Sequence, residues 1–256
     1  MVMDPLRRNQ YLQAIGLDVW VPRRGATALA EEPTLADADS APVMEGLLPS
    51  SLDGMVAADP EPVSSVATTT WESLRAEVLT CTRCTLHTSR TQGVFGVGNR
   101  EAQWLVVGEA PGAEEDRRGE PFVGRAGHLL DAMLRAIGLN RANNVYIANV
   151  LKSRPPGNRD PKPEEVTACL PFLMRQIELL KPRVMLAVGR IAAQNLLATD
   201  APLGRLRGKV HHFGELNTPL IVTYHPAYLL RTPSDKRKAW EDLKFARSVF
   251  RALTTT

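Results

Sequence analysis

Two cysteines, Cys81 and Cys84, stand three positions apart in the stretch "TCTRCTLH". A C-x-x-C pair can bring two thiolates to one metal centre, and a closed metal centre commonly has four ligands. The sequence holds one further cysteine, Cys169. We therefore expect either a metal centre whose fourth ligand is not a cysteine or a set of inert buried thiols.

A glycine-rich loop follows the apolar run "WLVVG" and reads "GEAPGAEEDRRGEPFVGRAG" (108–127). Glycine lets the backbone approach a ligand closely. No Lys-Ser or Lys-Thr pair follows, so the loop is not a P-loop, and its spacing differs from the Rossmann fingerprint. The density of polar and aromatic groups favours a ligand-binding loop over an ordinary strand-to-helix connection. The candidate side chains are Glu109, Glu115, Asp116 and Phe122.

Asn149 closes the second apolar run, "VYIAN". An amide at this position can pair with the edge of a base, because it offers both a donor and an acceptor, or it can cap its own turn. The loop that follows, "VLKSRPPGNRDP", carries three cations. If Asn149 reads a base, we expect these cations to contact phosphates: Lys152, Arg154 and Arg159.

The candidates share one setting, because each lies at the end of, or directly after, a run that is typical of a buried β-strand. Apolar runs that alternate with helical patterns indicate a parallel sheet covered on both faces, with ligands bound beyond the carboxyl ends of the strands. His225 follows the fourth run. A lone histidine is more often structural, but its position matches those of Glu109 and Asn149 and favours a function. The predicted strands are 104–108, 145–149, 183–189 and 219–224, and the predicted helices are 124–137, 163–180, 190–197 and 233–253.

The 256-residue chain divides by charge into three parts. Residues 1–24 have a short amphipathic pattern and a net charge of +2, which predicts a docking segment. Residues 25–68 carry eight acidic residues and no Lys, Arg or aromatic residue, a composition that predicts a disordered linker. Residues 69–256 carry +9, which suits a polyanionic partner or reflects ordinary surface charge.

Several classes of protein are disfavoured. No run approaches the roughly 18 to 20 apolar residues that span a bilayer, and the N-terminus lacks the apolar region of a signal peptide. Three cysteines, an odd number, argue against a disulfide framework. The sequence therefore predicts a cytoplasmic protein without a membrane partner.

The motifs together resemble family 4 of the uracil-DNA glycosylase superfamily, over roughly residues 70–250. The resemblance is carried, in order, by "GEAPGAEEDRRGEPFVGRAGHLLDAML", "NVLKSRPPGNRDPKPEEVTAC", "LKPRVMLAVGRIAAQNLL" and "YHPAYLLR". It implies an α/β fold for residues 69–256, a three-layer α/β/α sandwich with a central four-stranded parallel sheet. It also implies removal of uracil from single- and double-stranded DNA by cleavage of the N-glycosidic bond, and a [4Fe-4S] cluster.

The resemblance implies a role for each residue at a strand end. Phe122 stacks on the extruded uracil, and Asn149 pairs with its edge and selects uracil over cytosine. His225 donates to the uracil oxygen that gains charge as the bond breaks. Glu109 places or activates the attacking water, although its carboxylate is equally suited to stabilising a cation or bracing the loop. Two further residues of this loop contact uracil: Gly108 and Ala110.

The resemblance also implies a wedge that fills the gap left by the extruded base. In the superfamily this wedge follows the histidine motif, where the present chain has Leu229, Leu230 and Arg231. The sequence does not distinguish which leucine inserts.

In family 4 the cluster is held by four cysteines, one of which lies in a "KCRPPGNR" loop. The present chain reads "KSRPPGNR", so Ser153 replaces that cysteine, while Cys81, Cys84 and Cys169 match the other three. A serine oxygen is a harder and more basic iron ligand than a thiolate. Three outcomes follow: a [4Fe-4S] cluster on three thiolates plus serine or water, a three-iron or labile cluster, or a site that is metal-free or holds zinc.

The expected function is that of a monofunctional uracil-DNA glycosylase in base excision repair, monomeric as the family resemblance implies. Two alternatives stay open: a glycosylase for another deaminated base such as hypoxanthine, and a catalytically inactive DNA-binding module. Residues 1–24 resemble the N-terminal peptide of the psi subunit of bacterial DNA polymerase III, which points to a replication or repair protein as a partner.

Overall fold

Six strands form one mixed sheet in the computed structural model, which describes residues 70–254. Across the sheet they lie in the order β1-β3-β2-β4-β6-β5. The four central strands are parallel, whereas β1 pairs antiparallel with β3 and β5 antiparallel with β6. The strands are β1 (Val97–Gly98), β2 (Trp104–Gly108), β3 (Val145–Asn149), β4 (Val184–Val188), β5 (His211–Phe213) and β6 (Thr218–Thr223).

The predicted four-stranded parallel sheet is confirmed as the centre of this larger sheet. All four central strands are buried nearly throughout, which is why they read as continuous apolar runs rather than as alternating ones. The two edge strands were not predicted. They are two and three residues long, too short for a period-2 pattern to stand out.

Eight helices occur among residues 70–254. They are α1 (Trp71–Thr80), α2 (Ala113–Arg118), α3 (Arg125–Ala136), α4 (Pro163–Leu180), α5 (Arg190–Leu197), α6 (Leu203–Leu206), α7 (Pro226–Arg231) and α8 (Lys236–Thr254). Short 3-10 turns occupy Thr85–Thr88, Pro156–Asn158 and Pro233–Asp235. None of the helices in this part of the chain is long and apolar enough to cross a membrane.

The helices cover both faces of the sheet. One core packs α1, α4 and α5 against strand residues such as Leu105 and Val107. The other packs α3 and α8 against their sequence neighbours Trp104 and Val106, which point to the opposite face. The three-layer α/β/α architecture is thereby confirmed.

The long predicted elements agree with the structure to within about three residues. The largest shift is at α8, which begins at Lys236 because Pro233–Asp235 forms a 3-10 turn. Helix α1 was not predicted, although a capping box between Thr70 and Ser73 fixes its start. The predicted docking segment 1–24 and linker 25–68 lie outside the described residues.

Candidate functional site

The ends of three parallel strands meet around a cavity of about 400 Å³. The strands end at the same height in the sheet. Gly108 at the end of β2 pairs with Asn149 at the end of β3, and Val188 of β4 pairs with Thr223 of β6. The volume lies within the range of small-molecule sites. The lining includes five of the six residues predicted to contact the base or take part in catalysis: Glu109, Ala110, Phe122, Asn149 and His225.

Asn149 has a buried side-chain oxygen with no partner. The residue is 2% exposed, and its Oδ1 is one of two buried side-chain polar atoms without a hydrogen bond in residues 70–254. An unpaired buried carbonyl costs about 1–3 kcal/mol. The residue lines the cavity, and its Oδ1 lies in the cavity wall beside Gly108 without a donor from the described residues.

Gly108, the sixth predicted residue, lies behind Asn149 and Phe122. A Cβ on Gly108 would collide with Asn149 Oδ1 and would come within 2.6 Å of Phe122 Cζ. Glycine at this position therefore lets the amide and the ring pack against the end of β2. Its contribution is space rather than a contact of its own.

Phe122 adopts a strained backbone conformation. Its φ is 55°, in the left-handed region that aromatic residues rarely occupy, and its ring is buried. The Phe122 carbonyl lies so close to Gly127 that a Cβ at Gly127 would overlap it. Strain of this kind persists where the surroundings enforce it, commonly at ligand-binding sites.

Arg141 holds this strained segment in place. Its Nη2 donates to Phe122 O at 2.8 Å and its Nη1 to Pro121 O at 3.3 Å, while its Nε pairs with Asp131 at 2.8 Å. Glu115 secures the other side, because its Oε1 accepts from the backbone N–H groups of Val123 and Gly124 at 2.9 and 3.0 Å. The backbone that carries the Phe122 ring is thus held in place on both sides by charged side chains.

Asp116, a second carboxylate considered from the sequence, faces away from the cavity lining. It is 4% exposed and accepts from the backbone N–H groups of Thr91 and Gln92 at 2.9–3.4 Å. Glu115 and Asp116 therefore both brace loops through backbone N–H groups.

His225 caps helix α7 and lines the cavity. Its Nδ1 accepts from Ala227 N at 3.2 Å, so the neutral ring carries its proton on Nε2. Burial lowers the pKa of His225 to about 4, with the Arg231 charge acting in the same direction. The ring lies 5.6 Å from the Phe122 ring between centroids, and Gly189 leaves room for it. At neutral pH this residue is a hydrogen-bond donor without a charge.

Glu109 is a half-buried carboxylate at the carboxyl end of β2. Burial raises its pKa to about 7, and the nearby Asp160 charge raises it further, against an opposing effect of Arg190. Asp160 and Arg190 themselves form an ion pair at 2.6 Å. Within residues 70–254 no hydrogen bond to the Glu109 carboxylate occurs, unlike the bracing carboxylates of Glu115 and Asp116. A carboxylate whose pKa lies near neutral pH and which accepts no hydrogen bond from the protein is suited to proton transfer.

Lys152 is not a phosphate contact, and that prediction is wrong. The side chain is 1% exposed, and its Nζ donates to Asn149 O at 2.8 Å and to Gln176 Oε1 at 2.6 Å. Burial lowers the pKa of Lys152 to about 7. The amine supports the backbone behind Asn149, where DNA cannot reach it.

Arg154 and Arg159 lie in the loop after β3, where they were expected. Arg154 donates to Asn158 Oδ1 at 2.8 Å, and Arg159 forms a two-pronged ion pair with Glu165 at 2.5 and 2.9 Å. Arg159 also lines the cavity. Their role toward phosphate stays a prediction.

The two leucines after His225 differ in exposure. Leu229 is 1% exposed and packs in the core with α3 and α8, so it cannot serve as a wedge. Leu230 is 36% exposed, and the adjoining Arg231 is exposed and lines the cavity. The structure therefore corrects the predicted set by removing Leu229 and leaves Leu230 as the wedge candidate.

The three cysteines and Ser153 occupy one region. Cys169 is buried, with Cys81 and Cys84 packed against the same core, and Lys152 N donates to Cys169 Sγ at 3.2 Å. Burial raises the pKa of the Cys169 thiol to about 11, and neighbouring Cys84 and Cys81 raise it further. The Cys169 thiol needs a cationic centre nearby to become a thiolate at neutral pH.

Arg90 joins Ser153 to the cysteine segment. Its Nη1 donates to Ser153 Oγ at 2.7 Å, and its Nη2 donates to the carbonyls of Leu79 and Cys81 at 3.0 and 2.9 Å. In residues 70–254 no group of three or more His, Cys, Asp or Glu side chains is arranged to hold a metal ion. A cluster of several irons takes ligands that are set further apart than those of a single ion. Three thiols and one oxygen fit such a cluster only if the oxygen replaces a thiolate.

Sequence reasoning missed Arg141, Arg90 and Gln176. Each acts on a residue between 19 and 63 positions away, and none belongs to a local motif. An arginine before a strand or after a cysteine pair has no sequence signal that separates it from a surface charge.

Comparisons with known proteins agree with this geometry. The family model described as Uracil DNA glycosylase superfamily matches residues 95–244. A type-4 uracil-DNA glycosylase of Archaeoglobus fulgidus is 47% identical over 174 residues, which cover 66% of this chain and 87% of the archaeal protein. A type-4 uracil-DNA glycosylase of Thermotoga maritima is 44% identical over 181 residues, covering 69% of this chain and 93% of that protein.

The strand-end cavity and the family match define the class of protein: the chain belongs to the uracil-DNA glycosylase superfamily. Within that superfamily the two relatives just described are type-4 enzymes, as is one of Pyrobaculum aerophilum, which is 42% identical over 178 residues covering 67% of this chain and 90% of that protein. The resemblance to family 4 is confirmed.

Proposed function

We propose that the protein excises uracil from DNA by hydrolysing the N-glycosidic bond and leaving an abasic site for base excision repair. The unpaired, buried Oδ1 of Asn149 is the observation that carries this proposal. Uracil has an N–H at position 3 beside a carbonyl at position 4, so one amide can accept from the first and donate to the second. Cytosine has the opposite pattern at both positions, and the same amide rejects it.

The ring of Phe122 and the imidazole of His225 complete the binding site. A base must leave the helical stack before its glycosidic carbon becomes reachable, and aromatic side chains stack on such extruded bases. His225 Nε2–H donates to the uracil oxygen that gains charge as the C1′–N1 bond breaks. Because this donor is neutral and held by the α7 cap, it is oriented before the substrate arrives.

Glu109 acts on the attacking water. The water oxygen bonds to C1′, its proton passes to the Glu109 carboxylate, and uracil leaves with the electron pair of the broken bond. Asn149 and His225 stabilise this leaving anion. None of the cavity-lining residues in the described range 70–254 is a lysine, so a Schiff base to C1′ is not part of the scheme, which is that of a monofunctional enzyme.

Glycosylase activity should rise with pH around the pKa of Glu109. Because that pKa is about 7, the carboxyl group is largely protonated at pH 5 and largely ionised at pH 8.5. Only the ionised form accepts a proton from water. We expect the single-turnover rate of uracil release to increase across this interval and level off above it, and Glu109→Gln to be about 10²-fold slower at pH 8.5 and independent of pH.

Glu115→Gln is the matched control for this measurement, since it changes a neighbouring carboxylate that braces the loop. It should keep the rise with pH even if its rate is lower. A flat profile for the unmodified protein between pH 5 and 8.5 would show that Glu109 is not the base.

The enzyme proposal is tested with oligonucleotides that carry one uracil, one hypoxanthine or only normal bases. Alkali-labile strand breaks should form at uracil, in single- and double-stranded DNA, and not at normal bases. Cleavage at hypoxanthine alone would support the alternative substrate. Binding without any cleavage would support the inactive module. The type-4 relatives favour neither alternative.

We also infer that the cysteine region holds a [4Fe-4S] cluster on Cys81, Cys84 and Cys169, with Ser153 Oγ as the fourth ligand. The resemblance to family 4, whose number the type-4 relatives share by name, implies the iron–sulfur character. The guanidinium of Arg90 already contacts Ser153 Oγ and would stabilise the oxygen as an alkoxide. Bound there, a cluster would tie the cysteine loop, the loop after β3 and helix α4 together, away from the cavity and without redox change in the reaction.

Changing Ser153 should alter the stability of the cluster rather than the chemistry at uracil. Ser153→Cys should raise iron and sulfide per chain and resistance to chelator, because thiolate is the softer ligand. Ser153→Ala should lower both and produce a three-iron cluster, detectable by electron paramagnetic resonance. Equal iron and sulfide contents in all three proteins would exclude Ser153 as a ligand.

Further proposals concern the setting in the cell. We place the protein in the cytoplasm, as a monomer that meets DNA directly. Support comes from three cysteines that form no disulfide in the described residues and from DNA as the substrate of its relatives. Contact with a replication or repair protein through residues 1–24 stays a prediction.

A further inference from the structure

The first two turns of α8 display free cations beside an exposed tryptophan. Lys236 and Arg237 are exposed, and neither makes a side-chain hydrogen bond or ion pair within residues 70–254. Trp240 is 39% exposed, an unusual state for the largest apolar side chain. By contrast, the neighbouring Lys238 is engaged with Asp235 at 2.9 Å.

These side chains share one side of the helix. Lys236 and Arg237 stand four and three positions before Trp240, which places them next to it on the helix surface. One turn further on, Lys244 Nζ lies 5.9 Å from the Trp240 ring centroid. The buried residues of α8, Ala239 among them, point into the core instead. The result is a stripe of two free cations and an aromatic ring, followed by Lys244, whose charge is paired with Glu241 at 2.8 Å.

The stripe begins next to the base-binding cavity. Tyr228, which lines the cavity, donates its hydroxyl proton to Asp235 Oδ2 at 2.6 Å, and Asp235 directly precedes α8. Lys236 is only five positions beyond Arg231, which lines the same cavity. The start of α8 therefore adjoins residues that line the cavity, and the wedge candidate Leu230 lies in the preceding helix α7.

An extruded nucleotide stays joined to its strand on both sides, so phosphates and neighbouring bases must pass the mouth of the cavity. Cations contact phosphates regardless of sequence, and an exposed aromatic ring stacks on a base of any kind. An acidic partner protein could also pair with the two cations. It would not account for the exposed aromatic ring or for its position beside the base-binding cavity.

We propose that the start of α8 is part of the DNA-binding surface, with Lys236 and Arg237 contacting phosphates and Trp240 stacking on a base that flanks the extruded one. This inference rests on the proposed function, since the strand it describes is the one whose uracil enters the cavity. It extends the DNA contact beyond the strand-end loops to a helix that no motif of the sequence marked.

The test measures how binding to DNA depends on salt. Affinity of the full chain for a single-stranded oligonucleotide without uracil is followed by fluorescence anisotropy over a series of NaCl concentrations. Each phosphate contact contributes about −0.7 to the slope of log K against log salt on single strands. The double variant K236Q/R237Q should therefore lower the steepness of that slope by about 1.4.

A matched control comes from the opposite side of the molecule, where the central strands have their amino ends. Lys181 and Arg183 are also an exposed lysine and arginine, but they precede β4, at the amino end of the strand. K181Q/R183Q removes the same charge and should keep the slope of the unmodified protein. Trp240→Leu should keep the slope and weaken binding about fivefold or more, whereas Trp240→Phe should retain most of the affinity.

The proposal is overturned if K236Q/R237Q keeps the original slope, or if both double variants lose steepness equally, since net charge alone would then explain the effect. Thermal unfolding of each variant shows whether it is folded, and exposed positions should leave the midpoint unchanged. Uracil release by the unmodified protein is measured separately. Its absence would refute the proposed function while the salt result would still decide the surface.

Discussion

Replacing His225 with alanine should slow uracil release by about 10²–10³-fold, because it deletes the donor aimed at the leaving base. The same change should also lower the free energy of unfolding by about 1 kcal/mol, since His225 Nδ1 caps helix α7. The two losses have different causes. His225→Asn separates them, because asparagine is a good helix cap but lacks a donor at the position of Nε2.

We therefore expect His225→Asn to match alanine in rate and the unmodified protein in thermal stability. Single-turnover rates and thermal unfolding midpoints measure the two quantities. The rate loss should be similar at pH 6 and pH 8, since a histidine with a pKa of about 4 is neutral at both. A His225→Asn variant that releases uracil at the normal rate would reduce His225 to a structural cap.

Asn149→Ala should have the second large effect, a loss of uracil release of about 10²-fold with no loss of stability. The amide's donated hydrogen bond to a base that is gaining negative charge is removed, in the range of about 1.5–3 kcal/mol, together with the neutral bond that it accepts, about 0.5–1.5 kcal/mol. In the folded protein, however, Oδ1 has no partner, so its removal also ends the cost of burying it. The free energy of unfolding should stay the same or rise by up to about 1 kcal/mol.

Asn99 provides the opposite case. Its amide donates to Asn143 O at 2.6 Å and accepts from Glu101 N at 2.9 Å, in the connection between β1 and β2. Asn99→Ala should therefore unfold at a lower temperature and release uracil normally. If Asn149→Ala lost stability and kept its rate, the residue would be a turn cap, the alternative that its position at the end of a strand left open.

Much of the fold followed from the sequence because its signals are local. The four central strands are covered on both faces, so each appears as an unbroken apolar run, and the residue after each run must lie at the edge where ligands bind. Glu109, Asn149 and His225 were identified by that rule together with the motifs of a known family. The short edge strands β1 and β5 were not predicted, because two or three residues are too few to show a periodic pattern.

The candidate site was predicted less completely. Lys152 and Leu229 belong to stretches with several polar and apolar residues, and the local pattern did not show which of them turn inward. Lys152 is buried because its chain neighbour Asn149 offers a carbonyl and helix α4 offers Gln176 at the right distance. Leu229 and Leu230 are separated only by the turn of α7, which sends one to the core and the other to solvent.

The sequence by itself determined the order along the chain of the four central strands and the long helices between and after them, the residue types at the strand ends and the replacement of one cysteine by Ser153. Only the tertiary structure decided that Asn149 Oδ1 is left without a partner, that Arg141 enforces the strained backbone of Phe122, and that Arg90 reaches Ser153. The physical reason is distance along the chain. Hydrogen bonding and burial depend on groups that folding brings together from far apart, and a local pattern carries no record of them.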